Sequence, residues 1–266
     1  MATGAMGLGQ GAGARATPPG AGGRTERRDA WWLQPLVVAV VLGTFGLYAF
    51  WAALQNDFYY AAPYLSPFYS PCLATNCEHV TLPLVGSWWT LSPAFLILGV
   101  PLGFRATCYY YRKAYYRAFF WSPPACAVGD ARRSYSGETR FPFLLQNLHR
   151  YFFWLSLVVV LFLWWDVVQA FRFPEGLGLG VGTLVLAANA SLLSLYTLSC
   201  HSCRYLCGGY LDSFRRAPLR SRLWRATSWL NPRHPQFAWV SLFGVALSDL
   251  YVRLVAMGLL RDVRLF

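Results

Sequence analysis

The sequence predicts an all-α integral membrane protein, a bundle of five transmembrane helices with the N-terminus cytoplasmic and the C-terminus outside. Three observations lead there. The 266 residues are 56% hydrophobic and 18% aromatic but only 13% charged, whereas a soluble domain carries about 25% charged residues. Apolar runs of the roughly 20 residues needed to cross hydrocarbon recur along the chain. The basic residues are confined to alternate connections.

The elements follow in order. Residues 1–30 form a Gly/Ala/Pro-rich tail that cannot bury enough surface to order itself. The apolar run after it is too long for a signal peptide, so the membrane domain is 31–266. Spans are expected at about 33–54, 88–110, 151–171, 177–199 and 237–259. The second contains Pro93 and Pro101, which helix bundles tolerate. The piece AFFWSPPACAV (118–128) is too short and Pro-broken to span and reads as interfacial or re-entrant.

Orientation comes from the arginines. The tail holds four, the connection 105–150 holds eight Arg or Lys, and the connection 204–233 holds seven. Connection 55–87 holds none and 172–176 only Arg172. The two large basic loops therefore face the cytoplasm. The net charge of +12 reflects this topology and anionic membrane lipid, and gives no reason to expect nucleic acid. The chain reads as a multi-pass protein of the cell membrane.

On that map, Cys72, Cys77 and His79 lie in the outer loop, where Cys72 and Cys77 are expected to form a short disulfide in an oxidising compartment. Cys108, Cys126, His149, Cys200, His201, Cys203, Cys207 and His234 lie at or beyond the cytoplasmic ends of the helices. In SCHSCRYLCGG (199–209), a continuous helix would place Cys200, Cys203 and Cys207 on one stripe, with His201 on the same turn as Cys200. Thiolates and imidazoles meeting at one depth suit zinc or an iron–sulfur cluster. Small apolar packing by Cys with His as interfacial caps, or a redox disulfide, accounts for the same residues. One haem b on two of His149, His201 and His234 is a further alternative. Two stacked haems are not, because the outer side offers only His79.

The strings YLSPFYSPC (64–72), FRATCYYYRKAYYRAFFWSPPACAV (104–128), YSGETRFPFLLQNLHRYFF (135–153), FRFPEG (171–176) and CHSCRYLCGG (200–209) resemble the membrane-anchor subunit of an actinobacterial succinate dehydrogenase. That enzyme is a respiratory complex II with a single five-helix anchor. The resemblance covers about 31 to 260. It implies a cytoplasmic face that docks a flavoprotein and an iron–sulfur subunit, so that the dicarboxylate chemistry of this tricarboxylic acid cycle enzyme resides on partners. Electrons from succinate then reach a membrane quinone, expected to be menaquinone. The family also implies a Rieske-type [2Fe–2S] cluster in place of haem, with two Cys on one iron and two His on the other. His149 and His201 are the expected imidazoles, with His234 as substitute, and the thiolates come from Cys108, Cys126, Cys200 and Cys203. Tyr205 stands where the family often has a further His, which removes that position from any obligatory ligand set.

Arg105, Tyr109 and Arg112, at the inner exit of the second span, are the candidate quinone-binding group, although such aromatics also form interfacial belts. Asp166, Asp249 and Arg253 lie within spans at comparable depth, and Asp249 and Arg253 share a face at i,i+4. They read as a structural ion-pair cluster, with a proton route or second quinone site as the functional alternative. Two other classes rank lower. A stand-alone thiol oxidoreductase would place its cysteine pair outside, and no internal repeat supports a transporter.

Overall fold

The computed structural model describes residues 22–73, 91–131, 139–141 and 143–266. Eight α-helices occur among them: α1 (Leu33–Gln55), α2 (Ala94–Thr107), α3 (Tyr109–Phe119), α4 (His149–Gln169), α5 (Val181–Leu198), α6 (His201–Arg204), α7 (Pro218–Leu230) and α8 (His234–Ala256). Two short antiparallel hairpins complete it, Tyr60–Ala61 with Tyr64–Leu65 and Arg172–Phe173 with Gly176–Leu177.

Among the described residues four stretches are long and apolar enough to cross a bilayer: Leu33–Gln55, Phe143–Gln169, Val181–Leu198 and Pro218–Ala256, the last carrying its apolar part in α8. The expected second span is represented by α2, whose 14 residues rise about 21 Å, short of a hydrocarbon core of about 30 Å. The start of that span lies outside the described residues.

The chain divides into two compact units. In the smaller, formed by described residues of Met1–Ala39 and Ala114–Ser136, the segment around Arg24–Trp31 ties to the turn after α3. Arg27 donates to the Cys126 carbonyl at 2.8 Å, Thr25 to the Ala127 carbonyl at 2.6 Å, and the Trp31 and Trp121 rings meet edge-on at 5.9 Å. After α3 ends at Phe119, residues 120–128 form a set of bends and turns.

The larger unit, Val40–Lys113 and Gly137–Phe266, holds the bundle. Helix α5 packs on α4 and α8, and α2 packs on α4. Leu163, Val167 and Ala170 of α4, Leu186 and Ala190 of α5 and Val252 of α8 make one core with Tyr64. Small residues permit the close approaches that membrane helices favour: a side chain at Gly182 would meet the Tyr64 ring at 2.6 Å, and one at Gly103 would strike Phe152. Large apolar side chains also face outward, with Leu47 of α1, Leu161 of α4 and Leu247 of α8 each more than 60% exposed. That is the surface hydrocarbon requires and water would penalise.

Because α2 and α5 run opposite to α4 and α8, the C-terminal ends of the first pair meet the N-terminal ends of the second. Cysteine and histidine occupy those four ends.

Candidate metal centre

Cys108 closes α2 in an extended conformation, its backbone N–H returning to the Arg105 carbonyl at 3.2 Å. Cys200 sits at a break in the chain: α5 stops at Leu198, and Cys200 is the extended N-cap of the one-turn helix α6, its Sγ accepting from the Ser202 N–H at 3.4 Å. The expected continuous helix through Cys200, Cys203 and Cys207 therefore does not form, although Cys203 stays next to Cys207 and near Cys200. The helix breaks before Cys200, and a π-helical turn over Tyr205–Gly209 shifts the register after it.

His149 opens α4 and His234 opens α8. The Nε2 of His149 lies 3.0 Å from Cys200 Sγ, and the Nε2 of His234 lies 3.2 Å from Cys108 Sγ. All four residues are buried. The other nitrogen of each ring meets a hydroxyl: His149 Nδ1 is 2.9 Å from Thr107 Oγ1, and His234 Nδ1 is 2.8 Å from Ser199 Oγ.

These hydroxyls bear on the tautomers. A hydroxyl has one proton to donate. Thr107 Oγ1 lies 2.7 Å from the Gly103 carbonyl, and Ser199 Oγ 3.0 Å from the Tyr196 carbonyl. With their protons on those carbonyls the oxygens accept from the histidines, and a ring that carries its hydrogen on Nδ1 presents the Nε2 lone pair to sulfur. An imidazole oriented by a hydrogen bond from its other nitrogen is the usual arrangement of a metal-ligating histidine.

The arrangement repeats. Phe104, four residues before Cys108, stacks on His149 at 5.0 Å, and Tyr196, four before Cys200, stacks on His234 at 4.9 Å. The strings FRATC and YTLSC thus build two matching half-sites, each with an aromatic, a hydroxyl and a cysteine, and each hydroxyl orients the histidine that faces the other half's sulfur.

His201 completes the cluster from the rim. Its ring stacks on His149 at 5.2 Å, its Nδ1 lies 3.9 Å from Cys200 Sγ, and it is solvent-accessible. His149, Cys200 and His201 offer ligand atoms all within 4.8 Å of one another. Burial pushes the Cys200 thiol up to about 12, so without metal it is neutral. Burial, and then the neighbouring Arg150 charge, lower His201. Cys203 is buried, and burial followed by the adjacent Cys207 raises its thiol. Cys126 is exposed and belongs to the smaller unit.

A family model described as actinobacterial succinate dehydrogenase subunit SdhC matches residues 33–258. The chain belongs to this family. A solved structure titled "Mycobacterium smegmatis Sdh1 complex in the apo form" contains a chain 43% identical to it, with a TM-score of 0.84, covering 96% of this chain and 97% of that one. Comparison with curated proteins returned no match. This SdhC-family chain is therefore a membrane subunit of a succinate dehydrogenase, built mainly of helices.

The other residues singled out in the sequence fall as follows. Arg105 is turned into the bundle, donating to Tyr111 Oη at 2.6 Å, the Ala238 carbonyl at 3.1 Å and Ser241 Oγ at 2.9 Å. Tyr109 is exposed, and the Arg112 guanidinium lies 4.1 Å from its ring centre. Cys72 is disulfide-bonded; Cys77 and His79 lie outside the described residues. Asp249 and Arg253 form a buried ion pair at 2.7 Å. Asp166 does not join it: it faces Ser70, and its Oδ2 has no hydrogen-bond partner among the described residues. Sequence reasoning missed Thr107, Ser199 and Tyr196, although a hydroxyl residue directly precedes each of Cys108 and Cys200.

Proposed function

We propose that this chain is the membrane-anchor and electron-transfer subunit of a succinate:quinone oxidoreductase. In this reading it crosses the cell membrane five times, through α1, α2 with the residues before it, α4, α5 and α8. Its N-terminus is cytoplasmic and its C-terminus outside. A flavoprotein and an iron–sulfur subunit dock on the cytoplasmic face, and a quinone, expected as menaquinone, takes the electrons in the membrane. The match to a chain of an Sdh1 complex supports assembly with further subunits.

One observation carries the electron-transfer part, namely the two crossed cysteine–histidine pairs, Cys108 with His234 and Cys200 with His149. Their donor set fits a Rieske-type [2Fe–2S] cluster. Two sulfurs and two imidazoles, each sulfur beside one ring, are buried at the same end of the bundle, with Cys108 an electrostatic neighbour of Cys200 and His234 of His149. Such a cluster, when bound, supplies one-electron transfer at a potential raised by histidine ligation.

Cys108 and Cys200 would then be the thiolates, and His149 and His234 the imidazoles. Thr107 and Ser199 hold each imidazole in the tautomer that leaves Nε2 free. His201 stands at the rim beside Cys200. Burial of all four ligands excludes water, which keeps the site from hydrolytic exchange. Tyr109 and Arg112 are proposed to meet the quinone at the interface, with Arg105 bracing the α2 end against α8.

The test separates anchor chemistry from partner chemistry. Cys108→Ser and Cys200→Ser are introduced into the intact complex. Succinate oxidation is then followed with a soluble dye and with a quinone. Loss of quinone reduction with dye reduction retained supports the reading; full quinone reduction in both variants contradicts it.

A further inference from the structure

The two half-sites carry the same three kinds of group, an aromatic ring, a hydroxyl and a cysteine, and their aromatic rings differ by one hydroxyl. Where Phe104 stacks on His149, the other half has Tyr196 on His234. The rings occupy equivalent places four residues before a cysteine, and the Tyr196 ring differs from that of Phe104 by its hydroxyl. That hydroxyl is costly where it lies. Tyr196 is 1% exposed, and its Oη has no hydrogen-bond partner among the described residues. A buried hydroxyl without a partner is destabilising, and phenylalanine would pack the same volume without that cost.

The hydroxyl faces Cys108, whose sulfur already lies 3.2 Å from the His234 ring on which Tyr196 stacks. The Arg105 guanidinium, 4.7 Å from the Tyr196 ring centre, backs the phenol from another side. A neutral thiol is a poor acceptor, whereas a metal-bound thiolate is a strong one. Cys200 has a donor of its own in the Ser202 N–H. In this geometry Tyr196 is the donor available to Cys108.

We propose that Tyr196 donates its hydroxyl hydrogen to Cys108 Sγ when that sulfur is a metal-bound thiolate, and so raises the reduction potential of the centre. This rests on the cluster reading above. The step concerned is the gain of one electron by the cluster; Tyr196 keeps its proton, and no bond is made or broken at it. The added electron increases negative charge on the sulfurs, the hydrogen bond strengthens, and the reduced form is favoured. Tyr196 is a tuning residue, not a carrier of electrons.

The test is an EPR-monitored potentiometric titration of the purified complex, wild type against Tyr196→Phe, which gives both half-sites the same aromatic ring. Tyr196→Phe is expected to lower the reduced-to-oxidised ratio at a fixed potential by about tenfold, equivalent to a midpoint about 59 mV more negative for a one-electron couple. The spectrum should keep its mixed histidine–cysteine character. An unchanged midpoint in a variant that retains the signal overturns the proposal, and so does loss of the signal from Tyr196→Phe alone. Absence of the signal from the wild type overturns the cluster reading instead, and is thereby distinguishable. Should Tyr196→Phe fail to assemble, Phe104→Tyr adds a hydroxyl to the other half-site and is expected to shift the midpoint upward; no shift overturns the proposal.

Discussion

His149 and Cys200, 51 residues apart in sequence, meet with Nε2 and Sγ 3.0 Å apart, and Thr107 on a third helix holds the far nitrogen of the ring at 2.9 Å. Removing the hydroxyl leaves the ring free to change tautomer and angle. Outer partners of this kind are worth about 10–100-fold in metal affinity. Thr107→Val and Ser199→Ala are each expected to lose iron faster than wild type under a chelator challenge, by a factor in that range. Equal retention would show that the hydroxyls do not orient the ligands.

The same site should respond to pH. A thiol must lose its proton to bind metal, and Cys200 is pushed up to about 12 by burial. Proton competition therefore persists through neutral pH, where a thiol of ordinary pKa, about 8.5, would begin to escape it above that value. Metal uptake by the metal-free complex is expected to strengthen steadily from pH 6 to pH 9, and to weaken as pH falls. His201, lowered by burial and by Arg150, stays neutral above about 6.5 and adds no opposing proton there. Uptake that levels off below pH 8 would contradict a buried Cys200 ligand.

At the other end of the bundle, Arg253 donates to Asp249 at 2.7 Å, to Gln55 Oε1 at 2.8 Å, and to the Asp57 and Ala52 carbonyls at 2.9 Å each. Asp249 also accepts from Tyr48 at 2.6 Å and from Ser66. This network fastens the end of α1 to α8. Deleting one partner leaves a buried charge unpaired, at a cost of about 3–5 kcal/mol. Asp249→Ala should therefore lower the thermal midpoint in detergent strongly, and Asp249→Leu combined with Arg253→Met by much less. Equal losses would show that the pair acts through packing alone.

Asp166 has no such partner among the described residues, only Ser70 facing it. An amide of the same shape cannot ionise and creates no cavity. Asp166→Asn is expected to leave thermal stability equal or higher and quinone reduction within about twofold of wild type. A tenfold loss of quinone reduction at unchanged stability would instead make Asp166 a proton carrier.

The spans were legible because a run of apolar residues such as LQPLVVAVVLGTFGLYAFWAAL has few alternatives in water. The arginines led the sequence to expect the cysteines and histidines on one side, and the structure gathers Cys108, His149, Cys200, His201 and His234 at helix ends that meet. The ligand pairing was harder to read. Cysteine carries little local signal, so the break that puts Cys200 in an extended cap, and the π-turn after it, depend on packing around the site. His149 and His201 were paired in the sequence because one opens a helix and the other closes its antiparallel neighbour, and their rings do stack at 5.2 Å; His234, named there as the substitute, lies instead against Cys108, a contact that no local spacing announces. The match of FRATC to YTLSC was present throughout, but Phe with Tyr and Thr with Ser are equivalent in shape rather than in letter. Asp166 was grouped with the ion pair by depth alone, which does not specify the face of a helix.

The most direct test of the central claim is an optical and low-temperature EPR spectrum of the purified complex after reduction. The account predicts a Rieske-type [2Fe–2S] signal with no b-type haem bands, lost in Cys108→Ser and Cys200→Ser. Haem bands without that signal would contradict it, making two of His149, His201 and His234 axial ligands and leaving the cysteines as packing.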